Sequence, residues 1–141
     1  MTIVFDNNIV LDALLERKPF YADAAQLLTA CAGEHTGCLV ANSLTDIFYV
    51  LSKFVGATKA KQSVKKLTEL LHIISVSEAD CINALELPMD DFEDALLASC
   101  AKKAGAEYII SRDIDFARAA SPVQVMSPSE FLSGIAAHQR F

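Results

Sequence analysis

The stretch DDFEDALLASCAKKAGAEYIISRDIDF, residues 90–116, decides the fold. Residues 90–105 read as one helix, with acids at its entrance, lysines at its exit and Gly105 just past the end, an order that the helix macrodipole and the C′ preference for glycine both favour. EYIIS (107–111) follows as a short β-rich run, and acids return at once with Asp113 and Asp115. A helix fed through a glycine turn into a strand is half of a crossover connection. Repetition of that unit builds a parallel sheet covered by helices on both faces.

The same alternation runs outward from this stretch. TIVF (2–5) is a strand that stops at Asp6, and in NNIVLDALLER the residues Ile9, Leu11, Leu14 and Leu15 have a partly helical spacing. Pro19 ends that helix and opens the next, Phe20 to Ala32, in which Ala24, Leu27, Leu28 and Cys31 keep an i, i+3, i+4, i+7 face. TGCLVA (36–41) is the second strand. Asn42 or Ser43 is placed to cap a helix from Leu44 to about Phe54, and Gly56 breaks it. A lysine-rich amphipathic helix (about 58–71) leads to HIISV (72–76), and Ser77 precedes a short helix to Leu85. VQVM (123–126) is a fifth strand, and Ser127-Pro128-Ser129-Glu130 opens a terminal helix. No linker, repeat or low-complexity segment intervenes. The expectation is a single α/β domain over residues 1–141, a three-layer α/β/α sandwich around a mostly parallel, about five-stranded central sheet.

Composition narrows the function classes. With 141 residues, 52% of them hydrophobic, a real core is available and disorder is excluded. Cys31, Cys38, Cys81 and Cys100 show no C-x-x-C spacing and lie in apolar stretches, so they read as reduced, buried thiols without a disulfide or zinc site. MTIVFDNN lacks the basic and apolar segments of a signal peptide, and no apolar run nears the roughly 18 residues that cross a bilayer. The expected location is the cytoplasm, with no membrane partner. A net charge of −6 argues against broad capture of nucleic acid. Lys53, Lys59, Lys61, Lys65 and Lys66 fall in one stretch, however, which leaves either a basic rim beside an acidic pocket or a solvated helix face.

Acids recur where strands end or helices begin: Asp6, Asp46, Asp91 with Asp94, and Asp113 with Asp115. A parallel α/β sheet opens the carboxyl ends of its strands onto one crevice, and carboxylates converging there would need cations. Each acid also has a plainer reading. Asp6 and Asp113 each suit a helix N-cap, with Arg112 neutralising Asp113, and Asp90 with Glu93 suits a capping box. Asp46 shares a helix face with Tyr49, Val50 and Lys53, which suits a surface ion pair with Lys53. Asp94 resists such an account, because it lies on the face of Leu97, Ala98 and Ala101, and burying an unpaired charge costs several kcal/mol.

Oxygen ligands without His or Cys suit Mg²⁺ or Mn²⁺ rather than zinc. His35, His72 and His138 have no metal-ligand spacing. Mg²⁺ is typically held by one or two carboxylates and by substrate phosphates, so an acidic pocket can still receive a phosphodiester. G-x-S-x-G, P-loop and G-x-G-x-x-G motifs are absent from the sequence.

These residues resemble a known family. Asp6-Asn7-Asn8-Ile9-Val10-Leu11-Asp12 is similar to the D-T-N-hydrophobic opening of PIN-domain nucleases. Asp91-Phe92-Glu93-Asp94-Ala95-Leu96 and Ser111-Arg112-Asp113-Ile114-Asp115-Phe116 resemble their D-x-x-D-A and T-R-D-x-D-F motifs. The motifs come in the family's order, and the size resembles the small prokaryotic PIN toxins of toxin–antitoxin pairs. The resemblance implies an endoribonuclease that hydrolyses RNA with Mg²⁺ or Mn²⁺ by in-line attack of water, with Asp6, Asp94 and Asp113 as metal ligands and Asp46 as a further catalytic acid. It assigns Asn7, Asp91, Ser111 and Asp115 supporting places, and Arg112, Lys53, Lys59, Lys61 and Lys65 remain candidates for the RNA backbone. It also implies a homodimer and a small antitoxin partner. Asn7 stands where the family usually has Thr, Asp46 where Glu is common, and Ser111 where Thr is usual. Two alternatives stay open: a non-catalytic PIN-like module that binds RNA or protein, and a phosphotransfer enzyme of haloacid-dehalogenase or receiver type. The first of these phosphotransfer types expects a second Asp at position 8, which is Asn.

Overall fold

Five strands joined by four helical crossovers form the middle layer of the computed structural model, which describes residues 1–139 with side chains to residue 134; the side chain of His138 lies outside the described residues. In chain order the elements are β1 (Thr2–Phe5), α1 (Asn7–Leu14), α2 (Tyr21–Ala30), β2 (Thr36–Val40), α3 (Ala41–Leu70), β3 (His72–Ile74), α4 (Glu78–Glu86), α5 (Phe92–Lys103), β4 (Tyr108–Ile110), α6 (Ile114–Arg118), β5 (Gln124–Met126) and α7 (Pro128–Gln139). Every strand pairing is parallel, and the strand order is β3-β2-β1-β4-β5. The expected three-layer architecture is therefore the observed one.

Strand alternation divides the core in two. Ile3, Phe5, Leu39 and Ile110 project to the side covered by α1, α2, α3 and α7, where they meet Ile9, Leu27, Ile47 and Phe131. Val4, Cys38, Val40 and Ile109 project to the other side, against Ala84, Leu97, Ala98 and Phe116 of α4, α5 and α6. The four cysteines are free thiols, Cys38 and Cys100 buried and Cys31 and Cys81 half-buried. Among the described residues no helix is long and apolar enough to cross a membrane.

Helix boundaries differ from the sequence reading where tertiary packing sets them. The helix expected from Leu44 begins at Ala41, directly after β2, so Asn42 and Ser43 lie in its first turn and cap nothing. It meets its lysine-rich successor at Gly56, whose φ of 83° and ψ of 165° interrupt the helix in a conformation that glycine adopts without strain. The capping box expected of Asp90 and Glu93 is not formed. Asp91 is the cap of α5, accepting the Asp94 N–H at 3.0 Å, and the Glu93 side chain turns elsewhere. Ser77 caps α4 in a reciprocal box with Asp80, and Lys103 reaches the same Asp80 carboxylate at 2.6 Å, tying α4 to the end of α5.

Gly37 in β2 is required by space. A Cβ there would meet Cys31 Sγ at 2.6 Å, Leu71 Cδ2 at 2.8 Å and Phe5 Cε2 at 2.9 Å. Gly37→Ala is expected to lower stability by roughly 1–3 kcal/mol through overpacking, read as a reduced midpoint in urea at unchanged slope; an unchanged midpoint would show that these neighbours yield freely.

Candidate active site

The pairing of β1 with β4 creates the site. Phe5 lies opposite Ile110, and beyond this pair one strand turns into α1 on one face while the other leads to α6 on the opposite face. Chains parting in opposite directions leave a crevice at the carboxyl ends of the strands. Asp6 and Ser111 are the first residues into it. The Asp6 N–H donates to the Ile110 carbonyl at 3.0 Å, and Ser111 Oγ donates to Asp6 Oδ2 at 2.8 Å while accepting the Asp113 N–H at 3.1 Å. One buried hydroxyl thus fixes both Asp6 and the backbone that carries Asp113. Asp6 stands at the N-cap of α1 but makes no side-chain cap bond, so the plain capping account fails for it. Asp113 does cap α6, accepting the Asp115 N–H at 2.9 Å.

The other acids arrive from α3 and α5. Asp94, in the first turn of α5, is half-buried with no ion pair among the described residues. Its carboxyl is pushed up to about 7 by burial first, then by repulsion from Asp91, Asp6, Asp113 and Glu93. Asp6 is also raised, chiefly by burial, against the opposing Ser111 hydrogen bond. Glu93 is raised by burial and by Asp46, Asp6 and Asp91. The Asn7 side-chain amide sits between two acids, donating from Nδ2 to Asp46 at 3.2 Å and to Glu93 at 3.4 Å, while its buried Oδ1 has no partner. Asp6, Asp46, Asp91, Asp94 and Asp113 thus share one electrostatic field, and Glu93 joins them. From the sequence alone Glu93 reads as a capping residue. Its one available signal was that residues 90–94 hold more acids than capping requires.

The expected cationic partners are engaged elsewhere. Arg112 does not neutralise Asp113; its guanidinium makes two bonds to Asp12, at 2.8 and 3.2 Å, and lies 4.1 Å from the centre of the Phe20 ring. Asp12 is fully buried, with Arg17 3.6 Å away. Lys53 is 4.2 Å over the ring of Tyr49 rather than paired with Asp46. Lys59, Lys61 and Lys65 are exposed on the second half of α3, beyond Gly56. Asp115 lines two hollows of about 400 and 470 Å³, both shared with Asp113.

These residues suit a hard divalent cation by donor chemistry: oxygens only, mutually repelling, with an orphaned amide oxygen beside them. Asp6, Asp94 and Asp113 do not form a finished cage, since among the described residues no three acidic, imidazole or thiol groups stand ready to hold an ion. Mg²⁺ needs no such cage, because water and substrate phosphate complete its shell.

Residues 2–115 match the family model described as PIN domain. The chain belongs to the PIN domain family. This PIN domain is 30% identical over 136 residues, 92% of each chain, to a protein named ribonuclease VapC1 from Aquifex aeolicus (strain VF5). Its fold is that of VapBC2 from Rickettsia felis bound to a promoter DNA fragment, at a TM-score of 0.71 and 19% identity over 90% of this chain and 98% of that one. A toxin–antitoxin complex from Klebsiella pneumoniae gives 0.67 and 20% over 89% and 97%. The five-stranded parallel sheet is thus a fold shared with these structures.

Proposed function

We propose that this PIN domain is an Mg²⁺- or Mn²⁺-dependent endoribonuclease and the toxin of a toxin–antitoxin pair. The observation that carries the reading is the set of acids gathered at the switch-point crevice, none of them in an ion pair among the described residues, with Asp94 pushed up to about 7 by burial first and then by its acidic neighbours. Such an arrangement costs stability and is explained by a ligand that brings positive charge. The name of the Aquifex relative, a ribonuclease, supports the substrate, and the toxin–antitoxin complex from Klebsiella supports a small protein partner.

A bound divalent cation supplies Lewis-acid charge for phosphodiester oxygens and lowers the pKa of water. Asp6, Asp94 and Asp113 would hold it, one or two ions being compatible with the donor set. Ser111 keeps Asp6 and Asp113 aligned, Asp91 fixes the first turn of α5, and Asn7 spaces Asp46 from Glu93. Asp115 flanks Asp113 at the mouth. Lys53 and the lysines at 59, 61 and 65 are proposed for backbone contacts along α3. Arg112 is assigned to Asp12 rather than to RNA.

Incubation with total RNA and Mn²⁺ should give discrete cuts bearing 5′-phosphate and 3′-hydroxyl ends, and chelator should abolish them. The proposed setting is the cytoplasm. Light scattering should report a homodimer, for which exposed Tyr49, Phe54 and Val55 on α3 and Ile82 and Leu85 on α4 offer apolar surface. Without RNA, Mn²⁺ at about a hundred times its dissociation constant should stabilise the fold by about 2.7 kcal/mol, some 5–10 °C in Tm for a chain this size. The increment should shrink at pH 5.5, because protons then compete for Asp94. The absence of a ready-made three-acid cage favours one rival, a non-catalytic module; a calorimetric titration without Mg²⁺ or Mn²⁺ binding would decide for it.

A further inference from the structure

The hollow of about 470 Å³ beside α6 is lined by Asp90, Asp91, Asp94, Asp113, Asp115 and a lone cation, Arg118. Asp115 lies three residues before Arg118 on α6, a spacing that ordinarily gives an ion pair. None of the ion pairs or side-chain hydrogen bonds among the described residues involves Arg118, and its charge is not among those acting on Asp94. The other arginines with described side chains are committed, Arg112 to Asp12 and Arg17 to Asp12 and Asn8. An exposed arginine that lines a hollow with five acidic residues yet pairs with none of them is free to receive a ligand. Complementing the dipole of α6 is a small role for a five-residue helix.

We infer that Arg118 binds a phosphate of the RNA strand next to the one being cut, an inference that rests on the ribonuclease reading. A polyanion approaching a chain of net charge −6 through an acid-lined mouth is repelled unless a fixed positive group receives it. The guanidinium fork matches two phosphate oxygens, and its charge does not vary with pH in the working range. The hollow is within the volume range of small-ligand sites. A contact to phosphate carries no base information, so Arg118 contributes affinity and register rather than sequence choice.

The test compares the full chain with Arg118→Gln and Arg118→Lys, using Mn²⁺ and a mixed-sequence 20-nucleotide RNA. Arg118→Gln should raise KM about tenfold with a much smaller change in kcat. The plot of log KM against log salt should become shallower by about one. Arg118→Lys should recover part of the KM. The Mn²⁺-induced rise in Tm should be that of the parent, showing an intact fold and cation site. A Gln variant with the parent's KM and salt slope overturns the inference, as does one that loses kcat alone or the Mn²⁺ rise. Failure of the parent to cut RNA would instead defeat the ribonuclease reading itself.

Discussion

Asp94→Asn is expected to reduce RNA cleavage on the order of 100-fold or more and, at the same time, to stabilise the protein at pH 8. The first effect corresponds to losing about 2.7 kcal/mol of transition-state stabilisation, the scale seen when one preorganised charge-stabilising group is removed. The second follows from proton linkage. Asp94 in the folded chain holds its proton up to about 7, whereas a free carboxyl releases it near 3.8. Between those values the native state binds more protons than the unfolded state, so this group's contribution falls as pH rises, and above about 7 the folded protein carries the full cost of burying the charge and of its repulsion by neighbouring acids. Asn removes the charge and keeps the shape. Allowing for solvent screening of a half-buried group, the gain at pH 8 is of order 1–2 kcal/mol, and it should vanish near pH 4. Urea unfolding at the two pH values, beside cleavage assays, checks both halves. Cleavage at the parent rate would remove Asp94 from the site, and equal stability at pH 8 would mean that neither burial nor the surrounding acids disfavour its charge as described.

The largest structural effect is expected at Asp12. This carboxylate has no exposure and holds Arg112 by two hydrogen bonds. The bond to Asp12, more than any other influence, raises the proton affinity of the Arg112 guanidinium. Asp12→Ala strips the half-buried guanidinium of its partner and opens a small void, at a cost of about 3–5 kcal/mol, or roughly 10–15 °C in Tm. Arg112 sits between Ser111 and Asp113, so activity should fall as well, by loosening of the loop that presents Asp113. A double-mutant cycle separates pairing from packing: Asp12→Ala with Arg112→Ala should cost clearly less than the sum of the single changes. Strict additivity would show that the two side chains act independently.

Much of this molecule was legible without coordinates. Asp6 and Asp113 each follow a strand, and a parallel sheet sends strand ends to one edge, so their meeting was implied by order alone. Asp94 was marked by a charge on an apolar helix face. Other features could not be read in that way. Glu93 reaches the cluster through Asn7, a contact 86 residues long in sequence, and no local pattern encodes it. Arg112 was expected beside Asp113, yet a fully buried carboxylate 100 residues away outcompeted that exposed neighbour. The signal missed was Asp12 itself, charged within the buried run Ile9, Val10 and Leu11.

The sequence by itself determined the layers, the parallel sense of the strands and which acids stand at strand ends, because periodicity and punctuation are local properties that fix what each segment buries. Only the tertiary structure decided which charges face one another, since electrostatic partnership depends on distance and burial rather than on spacing along the chain. Hence Arg112 belongs to Asp12 and Arg118 remains at the acidic mouth. For the same reason three aspartates far apart in sequence repel one another across a single crevice.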